Sequence, residues 1–143
     1  MERLFEELQA VRKANDEFLK EYHSEVQQLE PDGTLTAEES LEQEMLFEVI
    51  DKMERMNRVI DYWGRKPEKE GVISRGADGT IQLDGTPVPA LEEFEVLLYD
   101  KDMGQEIWTR TYVSFALAGE TPCLVGLDKS VDVNGLRARL RRA

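Results

Sequence analysis

The chain begins with a long segment that contains neither glycine nor proline, from Arg3 to Leu29. Apolar residues recur along it with alternating spacings of four and three, the heptad pattern of a helix that packs along one stripe. The predicted inward stripe, or seam, consists of Leu4, Leu8, Val11, Asn15, Phe18, Tyr22, Glu25 and Leu29. Asn15 leaves two interpretations open: a buried polar residue that fixes the packing register, or a solvated residue at the edge of the stripe.

A second helix is predicted over residues 37–62. The turn sequence Pro31-Asp32-Gly33 ends the first helix, and Thr36 with Glu39 has the spacing of a capping box. The predicted seam of this helix is Leu46, Val49, Met53, Met56, Ile60 and Trp63. Further apolar residues, Leu41, Met45, Ile50 and Val59, make the stripe wider than a two-helix seam requires.

Two such helices joined by a short turn are expected to pack as an antiparallel hairpin. The extra width of the second stripe calls for another surface to cover it. We therefore predict self-association as a homodimer through Leu46, Val49, Met53, Met56 and Ile60.

The charged segment Gly64–Gly71 is flanked by glycines and is predicted to be a linker. The predicted organisation is then a helical hairpin in residues 1–63, a linker in 64–71, and a small β domain with a C-terminal helix in 72–143.

The second half of the chain has the period of β-strands. Residues 94–99 and 106–115 are rich in β-branched and aromatic residues and are predicted to pair across a turn at 100–105. Pairing Tyr99 with Glu106 sets a register that directs Phe94, Val96 and Leu98 to the core and places Glu95 opposite Arg110. Shorter strands are predicted at 72–75, 80–83 and 123–127, which makes five in all.

The outward face of this hairpin is unusually aromatic. It carries Tyr99, Trp108, Arg110 and Tyr112, a combination that suits stacking against a peptide or a base. The alternative is cover within the chain, with Trp108 against Leu97 and Arg110 against Glu95.

Residues 135–142 are predicted to form a closing helix capped by Asp132 or Asn134. Leu136 and Leu140 would dock on the sheet. The remaining side chains, Arg137, Arg139, Arg141 and Arg142, would either favour the helix dipole and the acidic front half or contact an anion such as phosphate.

The predicted fold class is therefore α+β. An N-terminal antiparallel helical hairpin precedes a small five-stranded antiparallel sheet, or a partly open barrel of the SH3 type, with a short C-terminal helix.

Several motifs of residues 71–142 resemble a small β-domain family of Gram-positive bacteria, often encoded among mobile-element genes. They are the Gly71–Arg75 start, the Leu83–Gly85 turn, the Phe94–Val96 strand, Trp108 with Arg110, the Cys123–Gly126 strand and the Asn134–Arg141 end. None of these motifs is catalytic. The resemblance implies a fold and a bacterial setting, and it carries no activity to this chain.

Charge and missing motifs narrow the function classes. The net charge is −12, and residues 1–63 carry 17 acidic and 7 basic side chains, a surface that repels nucleic acid and anionic membranes. No apolar run approaches the roughly 20 residues of a membrane span. A Gly-x-Ser-x-Gly elbow, a phosphate-binding loop and a His-Glu-x-x-His motif are all missing.

The single cysteine, Cys123, allows no internal disulfide and fits a reducing cytoplasm. Within the predicted strand 123–127 it is expected to be buried and inert. We predict a non-enzymatic module without metal or cofactor that binds a protein partner and its own second copy, and that does not bind membranes. The alternative is nucleic-acid binding through the four C-terminal arginines and the face of Trp108, Arg110 and Tyr112.

Overall fold

A computed structural model describes residues 1–28, 33–114, 121–128 and 130–142. The chain divides into two compact units, residues 1–65 and 66–142, which are described separately below. The first is helical and the second is built on a β-sheet, which confirms the α+β class. The last residue of the predicted helix-one seam, Leu29, lies outside the described residues.

The first unit contains the helices α1 (Glu2–Gln28) and α2 (Ala37–Gly64). The capping box that begins α2 is present: the Glu39 amide donates to Thr36 Oγ1 at 3.2 Å, and the Thr36 amide donates to Glu39 Oε2 at 2.8 Å. Residues further along α1 contact earlier residues of α2, as the pairs Phe5 with Trp63 and Asn15 with Asn57 show. The antiparallel helical hairpin is therefore confirmed.

The seam predicted for α1 was right at Leu8, Asn15 and Tyr22 but wrong at Leu4, Val11 and Phe18, which are replaced by their next neighbours, a mean rotation of about 50°. Its less exposed residues are Phe5, Leu8, Arg12, Asn15, Leu19 and Tyr22, which still follow a four-three spacing. Leu4, Val11 and Phe18, predicted inside, are between 41% and 54% exposed. The reason is the ion pair of Arg12 with Asp61, which brings a position that hydropathy assigned to solvent next to α2.

The second unit contains six strands instead of the five predicted. They are β1 (Lys66–Arg75), β2 (Ile81–Leu83), β3 (Thr86–Pro87), β4 (Glu93–Asp100), β5 (Gln105–Tyr112) and β6 (Arg137–Arg142). All neighbouring strands are antiparallel, in the order β3-β2-β1-β6-β4-β5. The sheet is open, with β3 and β5 at its edges among the described residues, so the predicted barrel closure is not observed there.

The segment predicted as a linker is instead the end of α2 and the first half of β1. Its charges are met by β6, where Glu70 pairs with Arg137 and Glu68 pairs with Arg142. The register of β1 against β6 shifts between Pro67 and Lys69. A bulge of this kind accommodates a proline in a strand, because the proline has no N–H to donate.

The register predicted for β4 and β5 is confirmed along the whole pair, with Tyr99 opposite Glu106 and Glu95 opposite Arg110. The turn is held by Asp100, whose Oδ1 accepts from the amides of Asp102 and Met103 at 2.8 and 3.0 Å. The core of the unit lies on the face of the sheet that carries Phe94 and Val96, opposite the face that carries Glu95. It comprises Ile73, Ile81, Leu83, Val88, Phe94, Val96, Val113, Leu124, Val133 and Ala138.

The predicted C-terminal helix is wrong, because Arg137–Arg142 form strand β6 between β1 and β4. The physical reason is visible in the spacing. Leu136, Ala138 and Leu140 alternate with arginines and all contact the core, a period of two rather than 3.6. A segment this short also has too few residues to nucleate a helix by itself.

The strand predicted at 123–127 is reduced to one bridge, between Leu124 and Val113. Leu124 is buried, and the chain turns at Gly126, whose φ of +81° ends extended pairing. Cys123, predicted to be buried, is exposed, with its Sγ 3.2 Å from Ser114 Oγ. Cys123 and Leu124 are neighbours in an extended segment, so their side chains point to opposite faces. Leu124 is the one that reaches the core.

Candidate interaction surfaces

The centre of the helical hairpin holds a polar contact between Asn15 and Asn57. The Asn15 amide nitrogen donates to Asn57 Oδ1 at 2.9 Å, and the two residues are only 8% and 6% exposed. This agrees with the interpretation of Asn15 as a register-fixing residue. A shifted register would leave both amides buried without this bond, which costs roughly 1–3 kcal/mol for each unsatisfied group.

Replacing Asn15 by alanine is expected to lower the free energy of unfolding by about 1–3 kcal/mol, because Asn57 loses its buried partner. Replacing both asparagines by leucine is expected to recover or exceed the original stability while relaxing the register. Urea denaturation followed by circular dichroism at 222 nm measures both. A double variant less stable than Asn15→Ala would contradict this account.

A charged layer lies one turn away from the asparagines. Arg12 donates from Nε and Nη2 to the two carboxylate oxygens of Asp61 at 2.8 and 3.0 Å, and its third nitrogen contacts Asp16. These hydrogen bonds hold the pKa of the Asp61 carboxyl below its usual range and raise that of Arg12. The two-point contact fixes the rotation of α1 against α2 more narrowly than apolar packing does.

The lowered pKa of Asp61 predicts a pH dependence of the hairpin. Its carboxylate contributes stability above the pKa of the unfolded chain, about 3.9, and this contribution is lost as pH falls through the lower folded value. Between pH 7 and pH 3 the native protein should therefore lose more thermal stability than Asp61→Asn. Asp51→Asn is the matched control, because the ion pair of Asp51 with Arg55 lies within α2. Equal losses in the native protein and Asp61→Asn would count against the assignment.

Beside the seam, the hairpin exposes two apolar stripes with seven-residue spacing. They are Leu4, Val11 and Phe18 on α1, and Val49, Met56 and Trp63 on α2. These six residues are between 36% and 54% exposed and are called the apolar face below. Met45 and Val59, at 51% and 43%, extend it on α2.

Both stripes lie on the same side of the hairpin. Val11 follows the seam residue Leu8 by three positions, and Met56 follows the seam residue Met53 by three. A step of three residues turns about −60° around either helix axis, given 3.6 residues per turn. Because the helices are antiparallel, equal rotations about their own axes bring both stripes to one side.

The structure divides the residues predicted for self-association into two groups. Met53 and Ile60 lie in the seam of the hairpin, and Ile60 is only 2% exposed. Val49, Met56 and Leu46 remain open, between 36% and 49% exposed. The predicted single stripe was thus a superposition of an inner seam and an outer stripe.

The outward face of the sheet is organised by Glu95, a residue that the sequence interpretation treated only as a neighbour of Arg110. Its two carboxylate oxygens accept from Arg139 Nε and from Arg141 Nε, the latter at 2.8 Å. The Glu95 side chain is 10% exposed and the two arginines are 18% and 19% exposed. The alternation of arginines along 137–141 could have revealed this arrangement, had that segment been assigned as a strand.

The predicted aromatic binding residues lie on this face. Trp108 is half-buried under Arg139, whose guanidinium lies 4.2 Å from the ring centroid, and it pairs across the strands with Leu97. Arg110 lies opposite Glu95 in the register and forms an ion pair with Glu93. Tyr112 is half-buried and Tyr99 is 64% exposed, so these four residues do not form one open platform.

The four arginines predicted as anion contacts all have carboxylate partners within the sheet. Arg137 pairs with Glu70, Arg142 pairs with Glu68, and Arg139 and Arg141 share Glu95. An incoming phosphate would have to displace one of these carboxylates. The arrangement favours the interpretation that these charges are neutralised within the chain.

Two general findings bound the chemistry of the described residues. No helix in the described part of the chain is both long enough and apolar enough to cross a membrane. Within the same residues, no group of three or more His, Cys, Asp or Glu side chains is arranged to hold a metal ion.

Comparison with known proteins adds no relative. No protein-family model matches the chain, and no match was found among curated proteins or solved structures. The resemblance of residues 71–142 to a small β-domain family of Gram-positive bacteria therefore stays a prediction, and the proposals below rest on the geometry of this chain alone.

Proposed function

We propose that the protein is a non-enzymatic binding or assembly module that self-associates through its helical hairpin. The observation that carries the proposal is the apolar face, two stripes of large apolar residues on one side of the hairpin. Scattered apolar residues are ordinary on a protein surface, but a continuous patch marks an interaction site. A helix that needs one partner shows one stripe, whereas these helices each show a second.

The size of the apolar face suits a stable homodimer. A helix of 27 residues is about 40 Å long, and two adjacent helices present a width of about 20 Å. This side of the hairpin therefore has an outline of about 800 Å², the area that each partner contributes to a standard protein interface. The apolar stripes extend over about 21 Å of its length. Pairing two such faces gives a four-helix bundle, in which each helix has the wide apolar stripe seen here.

The exposed thiol of Cys123 is compatible with a reducing compartment, and we place the module in the cytoplasm. The binding of a further protein partner is part of the same proposal. The outward face of the sheet offers fewer exposed apolar side chains than the hairpin does. On that face Arg139, which pairs with Glu95, covers the ring of Trp108.

Light scattering tests the self-association. The monomer mass is 16.4 kDa, and the dimer should have twice that value. Val49→Asp places a charge on the apolar face and is expected to weaken dimerisation by at least about 30-fold, since burying an unpaired charge costs about 2 kcal/mol or more.

Phe47→Asp is the matched control, because Phe47 is also 49% exposed but follows the half-buried Gln43 by four positions and so lies on the other side of α2. This control should remain dimeric. A native protein of 16.4 kDa at high concentration would end the proposal, and equal weakening by both substitutions would show that the apolar face is not the interface.

Nucleic-acid binding remains the alternative prediction, but no observation on the described residues favours it. The four C-terminal arginines on which it would depend are paired with carboxylates of the sheet. The hairpin, with 17 acidic and 7 basic side chains in residues 1–63, would repel nucleic acid. Binding to DNA or RNA is strongest at low ionic strength. Its detection there would support the alternative.

A further inference from the structure

The β unit ends in two very different sheet edges. Among the described residues, β3 and β5 are the outermost strands. β3 has two residues and includes Pro87, features that blunt an edge against pairing, whereas β5 has eight residues and no proline. We propose that β5 is a second self-association site, at which it pairs antiparallel with β5 of another copy. This site is separate from the apolar face of the hairpin.

The backbone groups of β5 that face the open edge can be identified from its neighbours. The Tyr112 carbonyl accepts from the Val125 amide at 3.0 Å, and because β4 occupies one side of β5, Val125 lies on the other. Backbone groups alternate between the two sides of a strand. The residues that share the edge-facing side with Tyr112 are therefore Glu106, Trp108 and Arg110. Each directs an amide and a carbonyl to this edge.

The charge pattern of this segment favours a second copy as its partner. Glu106 and Arg110 lie on one face of the sheet, two positions before and two positions after Trp108. A two-fold axis that passes between the two copies of Trp108, perpendicular to the sheet, places Glu106 of each copy opposite Arg110 of the other. Opposite charges directly across neighbouring strands favour their pairing. A segment that complements itself in this way meets the requirement of a two-fold interface.

Arg110 can take part in this pairing without giving up its present partner. It forms an ion pair with Glu93 of β4 at 3.4 Å, and both side chains are more than a third exposed. A guanidinium has several N–H donors, and Glu106 of the second copy approaches it from the opposite side of β5. An exposed pair of this kind contributes little energy. The backbone hydrogen bonds supply the attraction, and the charges select the register.

Other registers of the same pairing are less favourable. An axis at Glu106 or at Arg110 places that residue opposite its own copy, and like charges directly opposite each other are destabilising. An axis at Thr109 places Glu106 opposite Tyr112, whose carbonyl is already used by Val125. An axis at Ile107 places Arg110 opposite the turn that precedes β5. The axis at Trp108 is the one that pairs all edge-facing residues of the segment.

The edge contact is smaller than the interface proposed for the hairpin. Pairing along residues 106–110 buries much less than the roughly 1,200–2,000 Å² of a standard interface. We therefore expect it to be the weaker of the two contacts. A chain with two different two-fold interfaces can link its dimers into larger assemblies. The edge of β5 would then join dimers that the hairpins form.

Disulfide formation tests the register in the full chain with Cys123→Ser. A tagged copy carries Glu106→Cys and an untagged copy carries Arg110→Cys; the two are mixed, allowed to exchange and treated with a mild oxidant. In the proposed register the two positions have Cα atoms about 5.5 Å apart, within the range of about 4.4–6.8 Å that a disulfide spans. We expect a disulfide-linked dimer of the two variants.

Each variant oxidised alone is the matched control, because it carries the same thiol at the same position. The two thiols then lie four positions out of register, about 13 Å apart along the strands. Each variant alone should give at least about 10-fold less linked product than the mixture. Equal yields from the mixture and from each variant alone would indicate random collision and would overturn the inference.

Glu106→Pro tests the backbone hydrogen bonds without disturbing the pairing of β5 with β4. The Glu106 amide faces the open edge, where proline is tolerated, and circular dichroism checks that the fold is retained. Sedimentation equilibrium is measured in the Val49→Asp background, which weakens the hairpin interface. Self-association should become about 10-fold weaker, since each copy loses one hydrogen bond. Glu106→Ala keeps the amide and should weaken it by no more than about 3-fold.

The outcomes separate this inference from the proposed function. A Val49→Asp chain that stays monomeric, with no disulfide from the mixture, would overturn the edge pairing and leave the hairpin interface intact. A disulfide from the mixture, with a native mass that Val49→Asp does not change, would support the edge pairing and end the hairpin proposal. Equal weakening by Glu106→Pro and Glu106→Ala would contradict pairing through the backbone.

Discussion

Replacing Phe94 by alanine is expected to lower the free energy of unfolding of the β unit by about 3–5 kcal/mol. Phe94 is completely buried in β4 and belongs to the core cluster together with Val96, Ile73 and Leu83. Removing the ring eliminates its transfer free energy and leaves a cavity between strands that hydrogen bonding holds in place. A loss of this size is a large fraction of the 5–15 kcal/mol that stabilises an ordinary domain.

Urea denaturation followed by tryptophan fluorescence measures this loss in a Trp63→Phe background, because the one tryptophan then left in the chain, Trp108, lies in the neighbouring strand β5. Tyr99→Ala is the control, since Tyr99 belongs to the same strand as Phe94 but is 64% exposed. It should change stability by no more than about 0.5 kcal/mol. If Phe94→Ala costs less than about 1 kcal/mol, the assignment of the core to this face of the sheet is wrong.

Replacing Glu95 by alanine is expected to cost about 3 kcal/mol, the second largest effect. Glu95 in β4 accepts hydrogen bonds from both Arg139 and Arg141 in β6. All three side chains are largely buried, between 10% and 19% exposed. Removing one partner of a buried ion pair leaves charge that has lost its counter-charge, and this costs more than the pair contributed. Glu95→Gln keeps an acceptor oxygen and should therefore lose less.

Glu93→Ala is the matched control for this substitution. Glu93 belongs to the same strand and pairs with Arg110, but both side chains are more than a third exposed, so the loss should not exceed about 1 kcal/mol. Denaturation by urea again supplies the measurement. Equal losses for Glu93→Ala and Glu95→Ala would show that burial of the Glu95 cluster does not matter for stability.

Local patterns predicted part of this fold well. The capping box of Thr36 and Glu39 depends on three consecutive peptide units and is present. The pairing of β4 with β5 follows from a short turn and a period of two, and its register was predicted residue by residue. In both cases the interacting groups are close in sequence, so few alternatives compete.

The predictions were wrong where the local sequence pattern fitted two different structures equally well. Leu136 and Leu140 are four apart, which suits a helix, while Leu136, Ala138 and Leu140 suit a strand. The strand is formed because β1 and β4 both lie beside it and supply Glu70 and Glu95 as partners for its arginines. The spacing within residues 135–142 fits both a helix and a strand, so these residues alone do not decide between the two.

The apolar surface of the hairpin shows the same division. The heptad spacing in the sequence by itself determined that residues 1–65 form two long helices with more apolar surface than one seam can bury. Which apolar residues lie inside was decided by tertiary contacts, Arg12 with Asp61 and Asn15 with Asn57, because these polar pairs have strict geometry. Apolar contacts tolerate rotation of a helix and hydrogen bonds do not. A few polar side chains therefore determine which residues form the seam and which remain exposed on the apolar face.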